Sequence, residues 1–393
     1  MIDFTFVSPT KIYFGHGAEM RLPEALRQFR HRKVVLLYGQ GSIKKSGLYD
    51  RVIACLKEAG VSYLEFSGIR PNPQISFVRA ILPQVREFAP DLILAVGGGS
   101  VIDTAKSLAV SFSYEGDPFD FNRKISTPTS ALKVGVILTI ASAGSELSDS
   151  CVMSEDASNI KQGFNHDLVR PEFVLENPEL TFTVSPYQTA AGVSDIMMHS
   201  LERYFGGASD DNQLSDAWAL DLVKNTMIAG ERALANPNDY QARAELMLNS
   251  SLSHNSLTGL GKKCPFSVHP LEHAVSGYRP DVTHGAGVAL IYPAWAMHVL
   301  DKAVDKFAML TKVCFPNKIG ANKRETAIIG VQSMKEFFHR IGMPTSFQEV
   351  GIQENDLPHL VSLATGNGTR VIGLSPQSLE KKDVEQIYRS LLD

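Results

Sequence analysis

The sequence predicts an α/β N-terminal domain built on a doubly wound, Rossmann-like parallel sheet, followed by a C-terminal all-α domain. Three observations carry this. Strand-sized apolar runs alternate with helical patterns through the first half of the chain. A glycine-rich turn, Gly97-Gly98-Gly99-Ser100, joins one such run to a helix. The alternation then stops near residue 185, after which the periodic segments are long and helical. At 393 residues the chain exceeds one ordinary core, so two domains are expected, residues 1–185 and 186–393.

Taken in order, residues 4–6 and 11–14 read as short edge strands and 23–29 as a helix. Residues 33–38 (KVVLLY) form a strand, Gly39-Gln40-Gly41-Ser42 a turn, and 48–59 a helix ended by Gly60. A strand at 61–66 is followed by a loop marked by Pro71 and Pro73, then a helix at 75–88. Residues 91–96 form a strand, 101–110 a helix, 133–139 another strand, and Phe173-Val174-Leu175 the last of the pattern. Several of these runs are apolar at successive rather than alternate positions, so both faces must be covered, as in βαβ units. Ser185 before Pro186 places a capping hydroxyl and then a proline at the first helical position. Helices are expected from there at 187–205, 213–233, 240–253, 286–304 and 324–341. A final one is marked by Val384, Ile387, Tyr388 and Leu391 at i, i+3, i+4 and i+7.

Composition narrows the function classes. Hydrophobic content of 44% and charged content of 20% speak against disorder, and the longest apolar runs are strand-sized, too short to span a membrane. With 38 basic and 42 acidic residues the net charge is −4, so there is no electrostatic reason to expect nucleic acid; a small soluble substrate is expected instead. MIDFTFVSPT shows no basic segment followed by an apolar stretch, which predicts a cytoplasmic protein. Cys55, Cys151, Cys264 and Cys314 form no CxxC and read as reduced, buried small hydrophobes. Cys264, five residues before His269, leaves a thiolate ligand open.

Two motifs carry chemistry. In DLILAVGGGSVIDTAK an apolar strand runs into three glycines, a serine and a helix. Glycines let backbone amides approach phosphate oxygens, Ser100 can cap the helix, and the helix N-terminus favours an anion. The loop is neither GxGxxG nor a Walker A sequence, so its meaning depends on context; alone it is a tight strand-to-helix turn. Thr139-Ile140-Ala141-Ser142-Ala143-Gly144-Ser145-Glu146 follows another buried strand and could complete a phosphate or nicotinamide site. The second motif begins with Asp195 and His199, one turn apart on one helical face. An isolated pair of this kind is ordinarily a surface contact. Here His269, His273 and His284 fall within sixteen residues, three of the eleven histidines in the chain. Asp195 with His199, His269 and His284 supplies one carboxylate and three imidazoles, a complete ligand set for one divalent transition metal. Metal and nucleotide motifs in one chain point to metal-assisted hydride transfer.

GGGSVIDTAK at 97–106, GSE at 144–146, GVSDIMMHSLERY at 192–204 and HPLEHAVSGYRPDVTHGAGVA at 269–289 resemble, in order and spacing, the iron-containing alcohol dehydrogenase family, which includes butanol dehydrogenases and broad-range aldehyde reductases. The resemblance covers essentially the whole chain. It implies an N-terminal dinucleotide-binding domain, a C-terminal all-helical domain, and an active site in the cleft between them. It implies that Asp195, His199, His269 and His284 hold Fe(II) or Zn(II), that His273 lies beside substrate and nicotinamide, and that Gly98, Gly99 and Ser100 touch the pyrophosphate. Asp103 would support that loop, while Thr139, Ser142 and Lys161 would contact the cofactor. A homodimer is implied as well. The chain departs from the family where Ala143 stands in place of a frequent threonine, where Asn177 precedes Pro178 in place of a common aspartate, and in a His269 to His284 interval one residue longer.

The expected substrate is a small alcohol or aldehyde, polarised by the metal, with His273 as the natural proton carrier because imidazole titrates near neutral pH. Gly39, Gly41 and Ser42 end a strand where NAD-preferring relatives tend to carry an aspartate. Without that acid, and with Ser42, Lys44 and Lys45 nearby, NADP(H) is favoured over NAD(H); the alternative for the two lysines is solvated surface charge. Competing readings are a glycerol dehydrogenase-like polyol oxidoreductase, a zinc hydrolase using a metal-bound hydroxide, and a nucleotide-binding regulatory protein with a decayed site. The hydrolase leaves the glycine loop unexplained, and the presence of all four presumed ligands argues against decay.

Overall fold

The computed structural model describes residues 1–158, 160–207 and 212–392. They fall into two compact units, one comprising Val7–Val184 with Pro237–Ser251, the other Met1–Phe6, Ser185–Asn236 and Leu252–Asp393. The segment 237–251, expected with the C-terminal helices, therefore packs with the sheet.

The sheet unit contains β1 (Lys11–Phe14), α1 (Leu22–Phe29), β2 (Lys33–Gly39), α2 (Ser42–Lys45), α3 (Leu48–Glu58), β3 (Ser62–Ile69), α4 (Ile75–Phe88), β4 (Leu92–Gly97), α5 (Gly99–Ser111), β5 (Lys133–Leu138), β6 (Ser150–Glu155), β7 (Ile160–Asn165) and β8 (Phe173–Glu176). Six strands form one parallel sheet in the order β1-β8-β5-β4-β2-β3. The unbroken apolar runs are explained by coverage on both sides. Val35, Leu37, Ile93, Ala95 and Val136 face a core closed by α4 and α5, while Val34, Leu36, Leu92, Leu94 and Ile137 face one closed by α1 and α3.

The chain runs from β2 outward to β3, then returns to place β4 on the other side of β2. This reversal opens a crevice at the C-terminal ends of β2 and β4, where Gly39 and Gly97 follow the paired residues Tyr38 and Val96. Both glycine motifs of the sequence stand there.

The second unit contributes α6 (Pro186–Phe205), α7 (Gln213–Ala235), α9 (Val268–Tyr278), α10 (His284–Val299), α11 (Val304–Cys314), α12 (Lys323–Arg340), α13 (Leu357–Thr365) and α14 (Lys381–Arg389), with α8 (Tyr240–Ser253) preceding α9 in the chain. Among the described residues its regular elements are helical apart from an isolated bridge between Ile372 and Leu379. α10 is buried on nearly every side and packs against α6, α9 and α12, which fits its largely apolar sequence.

Several expectations are corrected. Residues 4–6 take no strand; their alternating phenylalanines mimic one, but the segment does not join the sheet. The β6–β7 antiparallel hairpin is not among the expected elements; its short strands mix polar and apolar residues, with burial in β6 only at alternate positions. The helix expected at 286–304 ends at Val299, followed by a 3-10 turn over Leu300–Lys302 and a non-helical Ala303 (φ −145°, ψ 37°), after which α11 begins. No glycine or proline marks that break. Two of the four cysteines, Cys264 and Cys314, are only partly buried.

Ser185 caps α6 as its sequence predicts, its hydroxyl accepting the Gln188 N–H at 3.2 Å, with Pro186 next. Ser185→Ala is expected to destabilise the fold by about 1 kcal/mol and Ser185→Asp to retain most of that stability, as measured by urea unfolding.

Candidate active site

Helical spacing on α6 sets Asp195 and His199 one turn apart, and both are buried. His269 stands in the first turn of α9, and His284 is the first residue of α10. The three helices bring them together. His269 Nε2 and His284 Nε2 lie 3.8 and 3.7 Å from Asp195 Oδ1, and the His199 and His269 rings are 4.5 Å apart at their centroids. Gly285 makes the approach of α10 possible, since a Cβ there would stand 1.9 Å from the Ala191 carbonyl oxygen of α6.

Each imidazole is oriented through Nδ1. His199 Nδ1–H donates to the Asp195 main-chain carbonyl at 2.9 Å, His269 Nδ1–H to the Glu202 carboxylate, and His284 Nδ1–H to the Glu272 carboxylate. These partners are acceptors, so each Nδ1 carries a proton and Nε2 is the atom left to face a ligand. Glu202 also accepts the amides of Ser267, Val268 and His269, so one carboxylate caps α9 and aims its first histidine. Sequence reasoning missed both glutamates, although a signal exists: His199-Ser-Leu-Glu202 and His269-Pro-Leu-Glu272 repeat His-x-x-Glu. In each, the glutamate clamps the histidine supplied by the next helix rather than its own.

The electrostatics ask for a cation. Burial opposes charge on Asp195, but the imidazoles of His199, His284 and His269 outweigh it and hold the carboxyl well below its ordinary range. Burial pushes His199 well below its usual value, against the pull of Asp195. For His269 burial also acts against the proton, yet Glu202 and Asp195 raise it to about 9. His269 Nε2 is buried and has no hydrogen-bond partner. A carboxylate, oriented imidazoles and an orphaned ring nitrogen form a donor set that fits a divalent transition metal.

His273 is half-buried, with its ring centroid 5.5 Å from that of His284 and 6.5 Å from that of His269. By mutual distance of ligand atoms, Asp195, His199 and His269 form one potential ligand group and Glu272, His273 and His284 a second, with His284 Nε2, 3.7 Å from Asp195 Oδ1, linking the two. His254, which the sequence did not single out, stands edge-on to His199 at 4.0 Å. Arg203 fixes this corner by donating to the carbonyls of His199 (2.8 Å) and Ser253 (3.0 Å). Cys264 turns its Sγ toward the Arg203 carbonyl at 3.8 Å and joins neither potential ligand group among the described residues.

At the sheet edge, α5 starts at Gly99 with Gly98 as its N-cap and no side-chain cap, so Ser100 lies inside the first turn and is not the cap expected for it. A Cβ on Gly98 would meet Ile140 Cγ2 at 2.2 Å, which keeps this crossing free of side chain. The Thr139 amide donates to the Gly97 carbonyl at 3.1 Å, joining the second motif to the first. Asp103 turns inward, accepting Ser145 Oγ at 2.5 Å and the Val152 amide at 3.0 Å, and so holds the 139–146 loop to α5. Ser142 anchors through its amide to Ser250 Oγ at 3.1 Å. Gly39 ends β2, Gly41 and Ser42 open α2, and Lys161 lies on β7. Uncapped helix amides beside glycine backbone suit a phosphate group. The departure at Asn177 has a local reason: its amide donates to Glu19 Oε2 at 2.9 Å, a bond an aspartate could not make. Ala143 abuts Gly99, where a Cβ would already stand 3.1 Å away.

The family model for iron-containing alcohol dehydrogenase matches residues 9–178, and that for the C-terminal region of the Fe-containing alcohol dehydrogenase family matches 189–392. The chain belongs to the iron-containing alcohol dehydrogenase family. It is 37% identical to NADH-dependent butanol dehydrogenase A of Clostridium acetobutylicum over 99% of both chains. It is 30% identical to an NADPH-dependent aldehyde reductase of Escherichia coli over 95% of both. The crystal structure of an NADH-dependent butanol dehydrogenase A from Thermotoga maritima superposes with a TM-score of 0.96 at 32% identity, covering 100% of this chain and 99% of that one.

Glu202→Gln and Glu272→Gln each remove a carboxylate behind an imidazole. Either is expected to weaken Fe(II) or Zn(II) affinity about 10–100-fold in chelator competition.

Proposed function

We propose that this chain is a metal-dependent oxidoreductase transferring hydride between NADP(H) and a small alcohol or aldehyde. Asp195, His199, His269 and His284 hold one divalent ion, Fe(II) or Zn(II). The observation that carries the reading is the convergence of these four side chains, with His269 Nε2 buried and unpartnered. Bound there, the ion supplies Lewis acidity toward a carbonyl or alcohol oxygen, while the nicotinamide gives or takes hydride.

The chain's own residues do the rest. Glu202 and Glu272 keep the imidazoles aimed, so little reorganisation accompanies ligand binding. Half-buried His273 holds or passes a proton near the reacting oxygen. Gly98, Gly99 and Ser100 offer backbone amides to the pyrophosphate, and Thr139, Ser142 and Lys161 contact the coenzyme. For the 2′-phosphate, Gly39, Gly41 and Ser42 present no carboxylate. Lys44 Nζ lies 4.8 Å from the Tyr49 ring centroid and 5.4 Å from that of Tyr38, at the end of β2. These contacts support a role for Lys44 toward a 2′-phosphate.

A homodimer is supported by β1, an edge strand paired on one side with β8, on which Ile12 and Phe14 remain exposed. No helix among the described residues is long and apolar enough to cross a membrane, which is compatible with the cytoplasmic setting proposed for this small-molecule chemistry.

NADPH oxidation with a panel of short aldehydes is expected, with kcat/KM for NADPH at least about tenfold above that for NADH. A strong NADH preference would overturn the coenzyme assignment. His284→Ala is expected to lose metal by elemental analysis together with nearly all activity. His273→Ala is expected to retain metal while losing about 10²–10⁴ in rate.

A further inference from the structure

Outside the metal cluster, the sheet unit buries two carboxyl groups against each other. Glu146 closes the 139–146 loop after β5, Glu176 ends β8, and both are almost completely inaccessible, at 1% and 0% exposure. Ser251 of α8 bridges them, with Oγ 2.9 Å from Glu146 Oε1 and 2.7 Å from Glu176 Oε1. A hydroxyl has one proton to give. If both carboxyls were ionised, one of these contacts would be a lone-pair clash, so the geometry requires one carboxyl to carry a proton and donate it to Ser251 Oγ.

The remaining contacts indicate which one. Ser250 Oγ also lies 3.2 Å from Glu146 Oε1, so Glu146 accepts from two hydroxyls, whereas Glu176 Oε2 is buried without a hydrogen-bond partner. A bare buried oxygen costs far less on a neutral acid than on a carboxylate. The resulting chain runs from the Glu176 O–H to Ser251, from Ser251 to Glu146, and from Ser250 to Glu146. Ser250 Oγ in turn accepts the Ser142 amide at 3.1 Å.

We propose that Glu146, Ser251 and Glu176 are positioning residues, a carboxyl pair sharing one proton that fixes the 139–146 loop, and Ser142 with it, for coenzyme binding. This rests on the coenzyme reading above. Burial raises both carboxyls, and the charged neighbours oppose it at Glu146 but add to it at Glu176. Lys106 of α5 faces Glu146 and is itself held by the carbonyls of Ser148 and Ser150, with Asp103 and Asp149 acting on it in turn, while the charge acting on Glu176 is that of Glu146. Burial, reinforced by Glu146, raises Glu176 to about 8 from its ordinary 4.5. The native state therefore keeps a proton that the unfolded chain releases near 4.5. Its contribution to stability is full at lower pH and is lost as pH rises through about 8.

The test uses the full-length protein and its Glu176→Gln and Ser251→Ala variants, titrated with NADPH and NADH by fluorescence between pH 6.5 and 9.5, with thermal unfolding over the same range. Gln keeps a donor toward Ser251 at every pH. Wild-type coenzyme affinity should fall about tenfold from pH 7 to 9.5, and Glu176→Gln should match wild type at pH 7 and stay nearly level. Ser251→Ala should bind more weakly throughout, and the Tm of wild type should drop relative to Glu176→Gln as pH rises. Binding with the same pH profile in wild type and Glu176→Gln would overturn this inference alone. Failure to bind either coenzyme at any pH would overturn the coenzyme reading and this inference together.

Discussion

The buried charge of Asp195 is the constraint around which the helical unit is organised. A carboxylate taken fully out of water is tolerated only with positive charge or strong donors around it. The chain answers with imidazoles from three helices, and each imidazole is itself held by an oxygen acceptor behind it. Orientation through Nδ1 turns the Nε2 atoms of His269 and His284 toward Asp195, where a divalent cation would find both negative charge and nitrogen donors. Close packing follows from the same demand. α10 must start hard against α6 for His284 to reach Asp195, and only glycine fits at 285, where a Cβ would stand 1.9 Å from the Ala191 carbonyl oxygen.

The clamping pattern also links stability to chemistry. Glu202 satisfies amides at the start of α9 and aims His269 with the same carboxylate, so the helix cap and the ligand orientation are one interaction. Two His-x-x-Glu steps pass orientation from one helix to the next, with Glu202 of α6 fixing His269 and Glu272 of α9 fixing His284. A site assembled this way is preorganised by secondary structure rather than by loops.

The sheet unit solves a different problem, bringing bare backbone to one edge. Its strand reversal puts Gly39 and Gly97 side by side, and the interior polar groups beneath that edge are spent on holding it. Asp103 ties Ser145 to α5, and the serines of α8 tie Ser142 and Glu146. α8 thus acts as a brace for the 139–146 loop, which explains why a helix expected among the C-terminal set packs with the sheet instead.

Local pattern was enough for what depends on local pattern. Continuous apolar runs specified strands buried on both faces, Ser185-Pro186 specified a helix start, and Asp195-x-x-x-His199 specified two groups on one face, because periodicity and capping are properties of neighbouring residues. Residue type and order also sufficed to reveal the family resemblance. The partners of those groups were not legible. Apart from the repeated His-x-x-Glu spacing, nothing along the chain singles out Glu202 and Glu272, which folding sets against histidines 67 and 12 residues away, and the Glu146–Ser251–Glu176 bridge joins three distant segments. Tertiary structure alone decided these, since a carboxylate's role depends on what shares its burial, and that is fixed by packing rather than by spacing along the chain.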